Sequence, residues 1–383
     1  MRTVTLFGIA VFLSVACNNN STKPKPIAEI VEEVKFDSIA YYDSIYQPYK
    51  DSIENYFDKS FEWGHFNGVI LFADGNHIIS HKAYGFAHFK NKDSLSLYHT
   101  FQLASVSKPF TATAIMQLVE KGKISLTDFV EKYIEGFPYK GITIEMLLTH
   151  KSGLSRYDHF CDSPKYGWNY KDSTISNKDV INIINKYKLP VAHAPGRKHY
   201  YSNTNYILLA EIIEIASGMG YEEYMTQHIF TPANMYDTRI YKRNNYDELC
   251  TPTTGYASNK TPEIDIYLNG CVGDKGIYSN AMDLFHFHQA LSNEILLSDS
   301  LMNEAFSPRV KAEVQDQKYG YGWRIIERET GNIVFHTGWW KGYKTFFIRI
   351  PEKNQVAIIL SNIAKNGISI EQMCSMFPEE PIL

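Results

Sequence analysis

Phe101-Gln102-Leu103-Ala104-Ser105-Val106-Ser107-Lys108-Pro109-Phe110, running on to Leu118-Val119-Glu120-Lys121-Gly122, is the stretch whose reading decides the fold. It predicts a helix over 105–121, ended by Gly122. Phe110, Ala112, Ala114, Ile115, Met116, Leu118 and Val119 leave it almost no polar face, so the helix should be central and buried. Ser105-Val106-Ser107-Lys108 is the single S-x-x-K of the chain. Positions i and i+3 share a helix face, so the lysine amine can reach the serine hydroxyl and take its proton. A free serine is a weak nucleophile, and an adjacent base is what its chemistry requires. The helix N-terminus adds free N–H groups and partial positive charge where an oxyanion would form. Pro109 still falls in the first turn, where its missing N–H costs nothing.

Around this helix the chain reads as strands at both ends of a helical middle. Residues 38–60 predict an opening helix. Asn67–Ala73 predicts a strand, Asp74-Gly75 a hairpin turn, and His77–Ser80 the start of the return strand. Further helices are predicted near 127–135, 143–149, 177–187, 204–216 and 281–291. Asn332–Phe335, Thr345–Ile350 and Gln355–Leu360 predict strands, with Pro351–Asn354 turning between the last two. This arrangement predicts one α+β unit over 38–376, an antiparallel sheet closed by the two ends of the chain and flanked by helices, with 377–383 as a tail.

Two triplets compete to supply a proton relay. Tyr201-Ser202-Asn203 precedes an apolar helix, and Tyr278-Ser279-Asn280 repeats the same three letters. A tyrosine beside a lysine can pass protons, and an amide at i+2 can orient the lysine or hold a substrate carbonyl. Either triplet also reads as a buried tyrosine followed by a capping asparagine. His336-Thr337-Gly338 ends a predicted strand. There Gly338 would let a substrate lie close along the edge, Thr337 offers a hydroxyl, and the Trp339 N–H would complete an oxyanion hole with that of Ser105. Lys151-Ser152-Gly153 is a rival for that role, but it follows a helix and is assigned to a structural loop.

Taken together these motifs resemble the serine β-lactamase and penicillin-binding-protein superfamily, in its class C-like branch of D,D-peptidases, D-aminopeptidases and esterases. The resemblance extends over about residues 40–375, through Leu147–Leu154, Gly273–Ser279 and Tyr319–Trp323. A tyrosine motif in place of Ser-Asp-Asn points to this branch rather than to class A. The resemblance favours the triplet at 201. It implies a helical subdomain set against an antiparallel sheet, with the active site between them. It also implies Ser105 as nucleophile, Lys108 and Tyr201 sharing acid–base work, Asn203 assisting, and His336, Thr337, Gly338 and Trp339 on the substrate and oxyanion side. Many β-lactamases carry lysine where this chain has His336. A histidine is mostly neutral at pH 7, which weakens attraction for a substrate carboxylate. The reading is therefore a serine hydrolase forming an acyl-enzyme on an ester or a D-amino-acid amide or peptide. A class C β-lactamase or D,D-carboxypeptidase, and a non-catalytic binding protein on the same fold, stand as alternatives.

Composition narrows the class further. The 383 residues are 44% hydrophobic and 21% charged, with 38 Lys+Arg against 42 Asp+Glu, so a disordered chain and a basic nucleic-acid binder are both excluded. The start, Met1-Arg2 then apolar Val4–Val15 then Ala16-Cys17, reads as a signal peptide over 1–16 with Cys17 lipidated. Residues 17–37 read as a tether to the membrane, and Asn18 points to an outer-membrane lipoprotein facing the periplasm or the surface. The other four cysteines form no C-x-x-C pair, and no H-E-x-x-H occurs, so no metal or other cofactor is expected. The expected partner is a small-molecule or peptide substrate.

Overall fold

A computed structural model describes residues 38–163, 165–166, 173–241, 250–312, 314, 316–365 and 367–379. Cys17, the signal peptide and the tether lie outside the described residues. The chain divides between Tyr42 and Asp43. Of the first unit, residues 38–42 are described as the opening of helix α1 (Ser38–Glu62). The second unit, Asp43–Leu383, carries the sheet, the other helices and the candidate site.

The apolar runs near the two ends of the chain pair with each other. Strand β1 (Gly68–Asp74) lies antiparallel between β2 (His77–Tyr84) and β8 (Gln355–Ser361), with Ile70 opposite Ile359 and Leu71 opposite Ile358. Every residue of β1 and of β8 is buried, the pattern of central strands covered on both faces. One cover is α1, whose Phe57 ring sits 6.1 Å from Phe72. The other includes a helix at Ala281–Ser292. The sheet continues from β8 through β7 (Tyr343–Ile350), β6 (Ile333–Trp340), β5 (Arg324–Ile326), β4 (Lys318–Tyr319) and β3 (Val310–Lys311). All pairings within it are antiparallel. The tail assigned to 377–383 begins inside packed structure: Phe377 is buried, 5.6 Å from the Phe72 ring.

Beside the sheet stands a helical layer built around two buried helices, α2 (Ser107–Glu120) and α5 (Asn203–Ser217). Against α5 pack α3 (Ile144–Leu148) and α4 (Asn177–Tyr187), and the helix at Ala281–Ser292 is α6. The composition of α2 explains its place, since its residues from Ser107 to Leu118 are all buried. Phe110 stacks on Phe287 of α6 at 3.9 Å, and truncating such a ring typically costs about 3–5 kcal/mol. The helix predicted near 127–135 is instead a short 3-10 turn, Val130–Lys132. Phe129 is extended (ψ 143) and bridges Thr143, while the Val130 N–H donates to Ile142 O, so a tertiary pairing replaces the helical one.

Candidate active site

The nucleophile turn is fixed from both sides before it begins. The Leu103 N–H donates to Ile277 O at 2.8 Å, and Leu103 O accepts from the Thr345 hydroxyl at 2.7 Å. Ala104 then turns left-handed at φ 50, a conformation that costs an L-residue roughly 1–2 kcal/mol. Ser105 follows in the short turn Ala104–Val106, and α2 starts at Ser107. Strand β6 backs onto this turn at Gly338. A Cβ there would lie 2.1 Å from Leu103 O and 2.2 Å from Thr345 Oγ1. The glycine is thus required by the strand's approach to the serine turn, rather than by the approach of a substrate.

Lys108 is fully buried in the first turn of α2. Its Nζ lies 3.1 Å from Ser105 Oγ, and it donates to Asn203 Oδ1 at 2.9 Å and to Asp274 O at 3.0 Å. The last two partners are carbonyl oxygens that only accept. In the neutral amine they take both N–H groups and leave the lone pair for the Ser105 hydroxyl. The amine also faces aromatic rings, 5.1 Å from the centre of Tyr201 and 5.5 Å from that of Tyr206. Behind α2, Gly322 (φ 82) lies where a Cβ would meet Ala112 Cβ at 2.6 Å, so the Tyr319–Trp323 segment packs against the base's own helix.

These groups open on a cleft of about 800 Å³, lined by Ser105, Tyr201, Asn203, Thr337, Trp339 and Trp340 among others. The His336–Trp339 run divides by the two-residue period of a strand. Thr337 and Trp339 line the cleft, whereas His336 and Gly338 are buried and do not line it, the His336 ring lying 6.4 Å from that of Tyr201. His336 Nδ1 donates to Thr337 O at 2.9 Å, so Nε2 is the acceptor of the Tyr319 hydroxyl at 3.1 Å. Burial, with Arg324 and Lys108 nearby, holds this imidazole well below the usual histidine range, and it is neutral.

Charge comes from residues the motifs did not single out. Arg324, on β5, lines the cleft with its guanidinium 5.5 Å from the Tyr201 ring. Among the described residues it pairs with no carboxylate. Its Nη1 donates to Gln317 at 3.3 Å, and its buried Nε has no partner among them. The other cleft cations are taken: Arg156 by Asp158 at 2.6 Å, Lys275 by Asp274 at 3.3 Å and Lys341 by Glu263 at 3.8 Å. Lys275 is also held between the rings of Tyr157 and Trp340, 4.7 and 4.8 Å away.

A family model described as Beta-lactamase matches residues 53–369. The chain belongs to the β-lactamase family. It is 36% identical over 328 residues to penicillin-binding protein 4* of Bacillus subtilis (strain 168), covering 81% of this chain and 71% of that one. Among solved structures, the penicillin-binding protein from Bacillus halodurans superposes with a TM-score of 0.70 at 26% identity, over 83% of this chain and 97% of that one. The D-amino acid amidase from Ochrobactrum anthropi SV3 shares the fold, with a TM-score of 0.69 at 20% identity over 83% and 94%.

On this β-lactamase fold the rival triplets occupy other places. Tyr278 is buried in a short strand, Ile277–Ser279, between Phe101–Gln102 and Arg239–Ile240, away from the cleft lining. Asn280 caps α6 by accepting from the Asp283 N–H at 2.8 Å. Lys151-Ser152-Gly153 forms a loop after α3, with Ser152 donating to Asn205 Oδ1 at 2.6 Å. Among the described residues, no three His, Cys, Asp or Glu side chains gather as a metal group would require. Cys161, Cys271 and Cys374 are buried free thiols, and burial pushes Cys161 and Cys374 up to about 12.

Proposed function

We propose that the protein is an exported serine hydrolase that forms an acyl-enzyme on Ser105 with an ester or a D-amino-acid amide or peptide of the cell envelope. The observation that carries this is Lys108 Nζ at 3.1 Å from Ser105 Oγ, with both competing acceptors being carbonyls. In the proposed reaction the Ser105 proton passes to Lys108, and Oγ bonds to the substrate carbonyl carbon. The oxyanion falls to backbone N–H groups of Ser105 and Trp339. Tyr201, beside Lys108 on the cleft wall, returns the proton to the leaving group as the C–N or C–O bond breaks. Water then cleaves the Ser105 ester by the reverse proton path. Asn203 keeps Lys108 oriented through Oδ1, and its amide nitrogen serves a substrate carbonyl. Replacing Ser105 by Ala should abolish turnover of a p-nitrophenyl ester with the melting temperature nearly unchanged. Activity within tenfold of wild type would remove the serine from the mechanism.

A D,D-carboxypeptidase or β-lactamase is the second reading, and Arg324 favours it. The buried, neutral His336 supplies no charge, but a guanidinium that has no carboxylate partner among the described residues stands next to Tyr201 and matches a substrate carboxylate. Arg324→Gln should raise KM about tenfold or more for a peptide ending in a free carboxylate and leave its amidated counterpart unaffected. Equal effects on both would favour the ester or amide reading. Residues 1–37 support export through a lipidated Cys17, and among the described residues no helix is long and apolar enough to cross a membrane.

A further inference from the structure

His150 lies in the loop after α3, in a segment that the catalytic scheme leaves without a role. It is fully buried and its backbone is left-handed, at φ 55. It follows the last turn of α3, where the Lys151 N–H closes the helix end onto Met146 O at 2.8 Å. Such a position ordinarily suits Gly or Asn, and a larger side chain there costs about 1 kcal/mol. The histidine gives in return a set of contacts with the segment carrying Tyr201, its ring also lying 5.0 Å from that of Tyr319. His150 O accepts from the Tyr200 N–H at 2.8 Å, and His150 Nδ1 accepts from the Ser202 N–H at 3.2 Å. The backbone N–H groups of the residues before and after Tyr201 are thus held by one residue. The imidazole also packs on the Tyr201 ring, with centroids 4.3 Å apart.

The surrounding bonds fix the orientation of that imidazole. Ser152 Oγ donates to Asn205 Oδ1 at 2.6 Å, which turns Asn205 Nδ2 toward His150 Nδ1 at 3.1 Å. Nδ1 therefore accepts from two N–H groups and carries no proton, so the hydrogen of the neutral ring is on Nε2. The Tyr206 hydroxyl donates to Leu148 O at 3.0 Å, a further tie between this loop and the first turns of α5.

We propose that His150 is a positioning residue that sets the Tyr201 hydroxyl against Lys108 and Ser105, an inference that rests on the reading of Tyr201 as the proton carrier. The backbone clamp fixes where residue 201 leaves the chain, and the ring fixes the tilt of the phenol. A misplacement of about 1 Å at a proton-transfer group can cost on the order of 10²-fold in rate.

The test uses steady-state turnover of a D-amino-acid p-nitroanilide, in which the leaving nitrogen must take the proton that Tyr201 carries. His150→Ala should lower kcat about 10–100-fold with KM within threefold. His150→Asn places an amide oxygen where Nδ1 stood and accepts the left-handed backbone, so it should remain within about fivefold of wild type. In a Tyr201→Phe background, adding His150→Ala should cost less than about threefold, because the hydroxyl that His150 positions is already gone. If His150→Ala does not fold, His150→Gln takes its place; its oxygen is one bond further out and should lose the tenfold or more that Asn keeps. The proposal is overturned by wild-type-like kcat in His150→Ala, by an undiminished loss in the Tyr201→Phe background, or by equal activities of the Asn and replacement variants. Tyr201→Phe losing activity while His150→Ala keeps it removes this inference alone. Tyr201→Phe retaining activity within tenfold removes the reading of Tyr201 and this inference with it.

Discussion

Adding one methyl group at Gly338 should disable the enzyme without unfolding it. A Cβ at this position would sit 2.1 Å from Leu103 O and 2.2 Å from Thr345 Oγ1, and real contacts of this kind begin near 3 Å. Strand β6 and the nucleophile turn must therefore separate by close to 1 Å. Thr345 can rotate away, but only by giving up its 2.7 Å bond to Leu103 O, one of two bonds that fix the residue before the strained Ala104. Either response moves Ser105 relative to Thr337 and the Trp339 N–H. Misplacement on this scale costs on the order of 10²-fold in rate, and overpacking costs typically about 1–3 kcal/mol of stability. Gly338→Ala should thus lower kcat/KM for an ester about 100-fold and lower Tm by a few degrees. The assay is steady-state hydrolysis paired with thermal melting. Activity within threefold of wild type would refute the claim that β6 sets the geometry of the nucleophile turn, and a loss of the folded state would refute the claim that the clash is absorbed locally.

Tyr201→Phe should reduce turnover about 10²–10⁴-fold and Tyr278→Phe less than threefold; the reverse order in steady-state rates would move the proton path to the later triplet. Acid should destabilise the protein in a set direction. Burial holds His150, His288 and His336 well below the usual histidine range, so the unfolded chain binds protons that the folded one refuses. Their stabilisation is fully present above the unfolded value near ~6.5 and falls as pH drops from there toward the folded values, by up to about 1.4 kcal/mol per pH unit for each histidine. Urea midpoints measured from pH 7.5 down to 4.5 should decline below pH 6.5, and a flat profile would contradict the burial argument. Cys17→Ser should release the protein from membranes into the soluble fraction; retention would contradict lipid anchoring.

The parts of this fold that were legible in the sequence are those set by local pattern. The apolar runs Asn67–Ala73 and Gln355–Leu360 announced strands, which the structure forms at Gly68–Asp74 and Gln355–Ser361, and the helix with almost no polar face announced α2. The strands at 310–311, 318–319 and 324–326 were not legible, because two or three residues show no period and they exist only through their partners. The helix expected near 127–135 lost to the pairing of Phe129 with Thr143. At the site, Ser105 and Lys108 were legible because i and i+3 are enough to bring them together. The four residues 336–339 could not all face the cleft, since a strand turns alternate side chains away. Arg324 enters through a register, opposite Phe335 on the neighbouring strand, that no spacing in the sequence reveals. His150 was in view within the Leu147–Leu154 motif, but its hold on residues 200 and 202 required the tertiary structure.

The central claim is that Ser105 is a nucleophile activated by Lys108. Exposing folded protein to a fluorophosphonate and mapping the adduct by mass spectrometry tests it most directly. One phosphonyl group per chain should appear on the peptide containing Ser105, and it should be absent from Ser105→Ala and strongly slowed in Lys108→Ala. An unlabelled Ser105 in folded wild-type protein, or labelling at the same rate without Lys108, would contradict the account.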